Sequence, residues 1–299
     1  PISTDLPVYL RTTHKLPAMD SRNGVTRRRL LIGLGSGLGL LGGGGAYVYW
    51  SLQGDSGGYT APESHPVVTT RGLLDTAEGP AFETEGTWSF DDAPAVFLFV
   101  HGFSTDAETA RDNAYTAQVA LDGTWSAPVI AYSWDSDVEW EQAKDNAEAN
   151  STHLAKWLVE WAETDGRPVH LLAHSLGARV TGETLRVLAE RGATDALASV
   201  SLLGGAIPYD SVVQGGRYGD AIGTVDTPVS NFYSHNDKVL SWVYRAADRT
   251  HAVGHAGTRD AGPLPDGYRD VNVTDLVADH YSYFEPEEGC LPRVIAELG

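Results

Sequence analysis

The stretch Val169-His170-Leu171-Leu172-Ala173-His174-Ser175-Leu176-Gly177-Ala178 constrains the fold of this chain more than any other. An apolar run of strand character ends at a serine, and a pattern of helical composition, Leu176 to Arg191, starts directly after it. Small residues, Ala173 and Gly177, stand two positions to either side of Ser175. A serine held in so sharp a strand-to-helix turn needs them, because bulky neighbours would strike the adjoining chain. The turn also aims the helix N-terminus, with its partial positive charge, at the space before the hydroxyl. Serine is a common helix cap, but a buried strand running through it into a helix predicts a nucleophile. Ala173 stands where the G-x-S-x-G pattern has its first glycine.

The same alternation recurs on both sides of this turn. Val96–Val100, Val129–Tyr132, Ala198–Leu203 and Val229–Tyr233 read as strands, the first a continuous apolar run suited to burial on both faces. Between them, Asp106–Leu121, with Thr105 as its cap, and Glu139–Glu163 read as helices; Trp157, Leu158 and Trp161 give the second an apolar face. Strands alternating with helices predict an α/β domain, a mostly parallel central sheet with helices on both faces, over residues 67–299. The glycine-bearing segment Gly204–Val225 reads as a mobile cover near the site.

A second motif closes the first long strand: Phe99-Val100-His101-Gly102-Phe103. A His-Gly pair there resembles the oxyanion loop of α/β-hydrolases, in which the backbone N–H of Phe103, with that of Leu176, would bond a tetrahedral oxyanion. His101 then braces the loop. Chain order in that superfamily is serine, acid, histidine. Ser234-His235-Asn236-Asp237-Lys238-Val239-Leu240 follows the strand at 229–233 and offers Asp237 as the acid, with His235 a packing residue. Asp279-His280-Tyr281-Ser282-Tyr283 offers His280 as the base; its rivals His251 and His255 read as loop or surface residues.

Together these segments resemble the α/β-hydrolase superfamily over residues 90–290. They resemble more closely a family of serine hydrolases with V-H-G-F, a strand ending in S-W, A-H-S-L-G, an N-D-x-V-L acid segment and a late H-x-Y. Tyr132-Ser133-Trp134-Asp135 matches the S-W element, with Asp135 where that family usually has proline. The resemblance implies the α/β-hydrolase fold, with Ser175 as nucleophile, His280 as base and Asp237 orienting it. It implies hydrolysis of carboxylic esters through an acyl-enzyme, with lipase, thioesterase or amidase activity open, on a small-molecule or lipid ester and without a cofactor. The alternative is a non-catalytic, membrane-tethered binding module that keeps the fold.

Charge divides the chain. Of 299 residues, 40 are acidic and 21 basic, a net −19. Residues 1–50 carry +4, so the remainder carries −23. No folded segment offers the basic stripe that nucleic acid requires. One cysteine, Cys290, excludes an intrachain disulfide, a zinc–thiolate site and an iron–sulfur cluster, and the scattered histidines predict no metal site. Only four lysines accompany 24 aspartates and 16 glutamates, which resembles haloarchaeal-type proteins whose self-repulsion concentrated salt screens.

Within the basic front, residues 1–29, Arg27-Arg28-Arg29-Leu30-Leu31 resembles a twin-arginine export signal. Residues 30–50 are uncharged, glycine-rich and about as long as a bilayer requires, with Tyr47, Tyr49 and Trp50 at the far end. They read as a signal or anchor, uncleaved or slowly cleaved, with 51–66 a tether. The expectation is export by the twin-arginine machinery to the cell surface or beyond. Met19, the single methionine, is a candidate start, as is a residue removed before Pro1.

Overall fold

The computed structural model describes residues 58–74, 81–90, 93–125 and 127–298. The twin-arginine motif, the 30–50 segment and the first part of the tether lie outside them. Eight strands form one sheet: β1 (Val67–Thr69), β2 (Glu83–Glu85), β3 (Val96–Val100), β4 (Val129–Ser133), β5 (Val169–His174), β6 (Ser199–Leu203), β7 (Val229–Tyr233) and β8 (Tyr268–Asn272). Their order is β2-β1-β4-β3-β5-β6-β7-β8. Among the described residues only the β1–β2 pair is antiparallel; the other pairings, from β1–β4 to β7–β8, are parallel. This is the α/β-hydrolase architecture, with β5 near the middle of the sheet.

Side-chain alternation on β3 shows how both faces are covered. Val96, Leu98 and Val100 pack in one apolar cluster with Leu154 and Leu158 of α2 (Trp140–Thr164) and Val180 and Leu185 of α3 (Gly177–Arg191). Phe97 and Phe99 point into a second cluster with Ala114, Ala117 and Leu121 of α1 (Ala107–Leu121), and with Leu291 and Val294 of the helix Leu291–Glu297. Every side chain of β3 is buried, as a strand with helices on both sides requires. Trp157 and Trp161 bury the expected apolar face of α2.

Three sequence expectations change, and three strands are new. The cap of α1 is Asp106, whose carboxylate accepts the Thr109 N–H at 2.8 Å, whereas Thr105 is buried and its carbonyl holds Arg71. Residues 59–65, expected in the tether, lie against α1: the N–H groups of Tyr59 and Ala61 donate to Thr116 Oγ1 and Asp112 Oδ1. The segment 204–225 is packed rather than a mobile cover; Val212, Tyr218 and Ile222 are buried, and the Tyr218 ring lies where Gly182 of α3 has no side chain. Finally β1, β2 and β8 carried no run long or apolar enough to read as strands.

Candidate active site

Ser175 follows the last residue of β5 and holds φ = +53°, a left-handed conformation that a non-glycine residue rarely adopts. Its neighbours enforce the turn. Ser175 N–H donates to Leu203 of β6, and its carbonyl accepts the N–H groups of Ala178 and Ala206. Gly177, the first residue of α3, presses on the end of β3: a Cβ there would lie 2.3 Å from the Val100 carbonyl oxygen. Only glycine lets the helix start so close to the sheet. This is why the small residue two positions after the serine matters.

The structure brings the three expected side chains together. His280 Nε2 lies 2.8 Å from Ser175 Oγ, and His280 Nδ1 lies 2.7 Å from Asp237 Oδ2. All three are buried. A carboxylate only accepts, so Nδ1 carries the proton and Nε2 offers its lone pair to the serine hydroxyl. The Leu240 N–H binds the other Asp237 oxygen at 2.8 Å, which fixes the carboxylate plane. Tyr283 closes the site from below: its hydroxyl donates to the Gly254 carbonyl and stands 3.5 Å from Asp237 Oδ2.

Gly102 brings the expected oxyanion loop against the serine. A Cβ on Gly102 would lie 2.8 Å from Ser175 Cβ and 3.4 Å from Oγ. Among the described residues, neither Phe103 N–H nor Leu176 N–H has a protein acceptor. His101 braces this loop. Trp134 N–H donates to its Nε2 at 3.1 Å, so Nδ1 carries the proton and donates to the Gly102 carbonyl at 2.9 Å. Burial, then the nearby Arg71, lowers its pKa to about 3, and the neutral ring stacks on Trp134. Arg71 itself bonds Ser133 Oγ and the Thr105 carbonyl, tying the strand ends together.

His174, quoted in the motif without a role, is part of the site. Its Nε2 donates to the backbone carbonyl of His280 at 2.7 Å, and its ring lies 4.9 Å from the His280 ring. Burial, with His280 next, brings its pKa to about 3, so the ring stays neutral. No local signal identifies this contact, because the two residues are far apart in sequence. His251 and His255 stay outside the triad and line a separate surface cleft.

A small buried apolar cluster adjoins the backbone of the serine turn. Ala206, whose N–H binds the Ser175 carbonyl, clusters with Leu240, Tyr244 and Ala252, and Trp140 packs against them. The Phe103 ring meets Trp140 edge-on at 5.1 Å. Among the described residues no three His, Cys, Asp or Glu side chains gather to hold a metal ion.

The comparisons with known proteins give a family without an assigned activity. The chain is 29% identical over 187 residues to the "Uncharacterized membrane protein C6F6.13c" of Schizosaccharomyces pombe, covering 62% of this chain and 22% of that protein. It is 33% identical over 171 residues to the "Transmembrane and coiled-coil domain-containing protein STS1" of Oryza sativa subsp. japonica, covering 57% and 24%. The chain thus spans about a quarter of the length of these relatives. Among solved structures, Bacillus licheniformis lipase BlEst2 in mature form is similar with a TM-score of 0.45 and 16% identity, over 80% of this chain and 99% of that one. Residues 95–296 match the family described as "Protein of unknown function (DUF726)", and the chain belongs to that family.

Proposed function

We propose that this chain is a serine hydrolase that cleaves carboxylic esters through an acyl-enzyme. The observation that carries the reading is the continuous hydrogen-bonded line from Ser175 Oγ through His280 to Asp237. His280 Nε2 takes the serine proton as Oγ attacks the acyl carbon, and Asp237 stabilises the imidazolium without accepting its proton. The Phe103 and Leu176 N–H groups, with the N-terminus of α3 behind them, stabilise the oxyanion. His280 then protonates the leaving alcohol, and water repeats the sequence on the acyl-enzyme. The substrate in this reading is a small-molecule or lipid ester.

A fluorophosphonate probe tests this directly. Wild type should label and Ser175→Ala should not, with p-nitrophenyl ester hydrolysis lost in parallel. Equal labelling of the two, or none in either, would leave a non-catalytic binding module on this fold.

The cellular setting is part of the same proposal. The uncharged stretch 30–50 serves as membrane anchor, and the arginines before it direct twin-arginine export to the cell surface. The names of both relatives, which call them membrane or transmembrane proteins, support membrane association. Among the described residues no helix is long and apolar enough to cross a membrane. Fractionation of wild type against Arg27→Lys/Arg28→Lys tests export: the variant should stay inside the cell.

A further inference from the structure

A cluster of basic side chains lies outside the triad. A cleft of about 460 Å³ is lined by His235, Lys238, Ser241, Trp242, Arg245, His251, His255 and Arg259, and by no acidic residue. Two rows build it. Lys238, Ser241 or Trp242, and Arg245 recur at helical spacing on the turn that follows the triad acid; His251, His255 and Arg259 recur every four residues on the next segment. The His235 and His255 rings, 5.8 Å apart, join the rows.

Lys238, Arg245 and Arg259 are exposed and, among the described residues, none has an ion-pair partner. That is unexpected in a chain of 40 acids and 21 bases, where carboxylates are plentiful. Of the neighbouring carboxylates, Asp237 faces His280, Asp248 accepts from Trp140 Nε1 and Lys144 Nζ, and Asp260, next to Arg259 in the chain, is exposed and forms no ion pair among the described residues. Gathering three like charges without counter-charge is unfavourable unless something anionic visits the cleft. Two further observations point the same way. His255 Nδ1 is buried and, among the described residues, has no partner within hydrogen-bonding geometry, although the Ser234 backbone lies close to the ring. Arg259 holds φ = +51°, a strained backbone that presents its side chain here.

We propose that this cleft is a binding site for a phosphate-bearing anion. Three cations exceed what a single carboxylate would need, and they suit a group with up to two charges and three acceptor oxygens. Ser241 and the histidines add hydrogen-bonding groups. Trp242, 72% exposed beside the cations, gives the ligand an apolar contact, as in a phosphorylated amphiphile. The site does not depend on the hydrolase reading, because binding is measured without turnover.

The test uses the full chain. Titration calorimetry with inorganic phosphate and glycerol 3-phosphate is paired with co-sedimentation on phosphatidylcholine vesicles, with and without phosphatidic acid. The variant is Arg245→Gln/Arg259→Gln, with Lys238→Gln as a second; Arg191→Gln removes another unpaired cation elsewhere and serves as control. Each lost charge-assisted contact should weaken phosphate binding about tenfold, and Arg191→Gln should leave it unchanged. Saturable binding of glycerol 3-phosphate assigns a soluble phosphoester. Binding only to phosphatidic acid vesicles, weakened in the double variant, assigns a lipid headgroup. The N-terminal segment is common to every variant, so the difference between variants carries the result. Absence of binding to every probe, equal binding by the double variant, or equal competition by acetate would overturn the proposal.

Discussion

The Nε2 of His174 donates to the backbone carbonyl of His280 at 2.7 Å, so the residue before Ser175 holds the loop that carries His280. The contact spans two segments that no local interaction joins. Because a carbonyl only accepts, the proton sits on Nε2, and burial keeps the ring neutral. His174→Phe keeps a ring of similar shape but leaves that carbonyl unpaired. Loss of a buried partner is worth about 1–3 kcal/mol, so we expect kcat to fall about tenfold or more with KM little changed. His174→Gln retains an N–H donor and should recover part of kcat. Ester kinetics on both variants check this; a change confined to thermal stability would reduce His174 to a packing residue.

Two glycines separate chemistry from folding. A methyl on Gly102 meets the Ser175 side chain at 2.8 Å, whereas one on Gly177 meets the Val100 backbone oxygen at 2.3 Å. Gly102→Ala therefore displaces the oxyanion loop or the nucleophile, and kcat should drop about 100-fold, the scale of losing one oxyanion donor. Gly177→Ala pushes α3 from the sheet and should lower stability by more than the ~1–3 kcal/mol of ordinary overpacking. Thermal melts beside ester kinetics distinguish the two, and the expected order is opposite in each assay.

The contrast explains what the sequence made legible. The elbow could be read because its requirement is local: a buried strand, a serine, small flanks and a helix within ten residues. Asp237 and His280 are readable only through chain order, the place of Asp237 after the strand at 229–233, and the resemblance of N-D-x-V-L and H-x-Y; nothing in their local chemistry marks either as a partner of Ser175. Strand β8, Tyr-Arg-Asp-Val-Asn, escaped because its pairing with β7 and the bonds of Asp270 to Asn231 and Thr258 replace the apolar run of an inner strand. His174 escaped for the same reason as the triad partners; its role exists only once the sheet has brought two distant loops together.

Burial of neutral histidines sets the acid limit of the fold. His65, His101 and His174 are buried, with pKa values lowered to about 4, 3 and 3 from an ordinary 6.5, in each case chiefly by burial. The unfolded chain takes up these protons first as pH falls, so the stability they support is full above about 6.5 and declines below it. Each contributes a slope of up to about 1.4 kcal/mol per pH unit. Thermal midpoints measured in concentrated salt should fall steeply from pH 6.5 to 4.5, and His65→Phe should remove about a third of the slope. A flat profile would mean that these rings are charged in the fold.

Salt should act on the opposite side of the same balance. Residues beyond position 50 carry −23, and three of the unpaired cations are spent on one cleft rather than spread among the carboxylates. Self-repulsion then opposes the compact state in dilute buffer. Screening shortens the Debye length from about 10 Å at 0.1 M to about 3 Å at 1 M, so it acts mainly over that range. We expect the thermal midpoint to rise by several degrees between 0.1 and about 1 M KCl at pH 7.5, where the buried histidines are neutral in both states. Neutralising exposed carboxylates on α2 that form no ion pair among the described residues, as in Asp145→Asn/Glu163→Gln, should shrink the rise. A midpoint independent of KCl would show that the acidic surface is tolerated in dilute buffer.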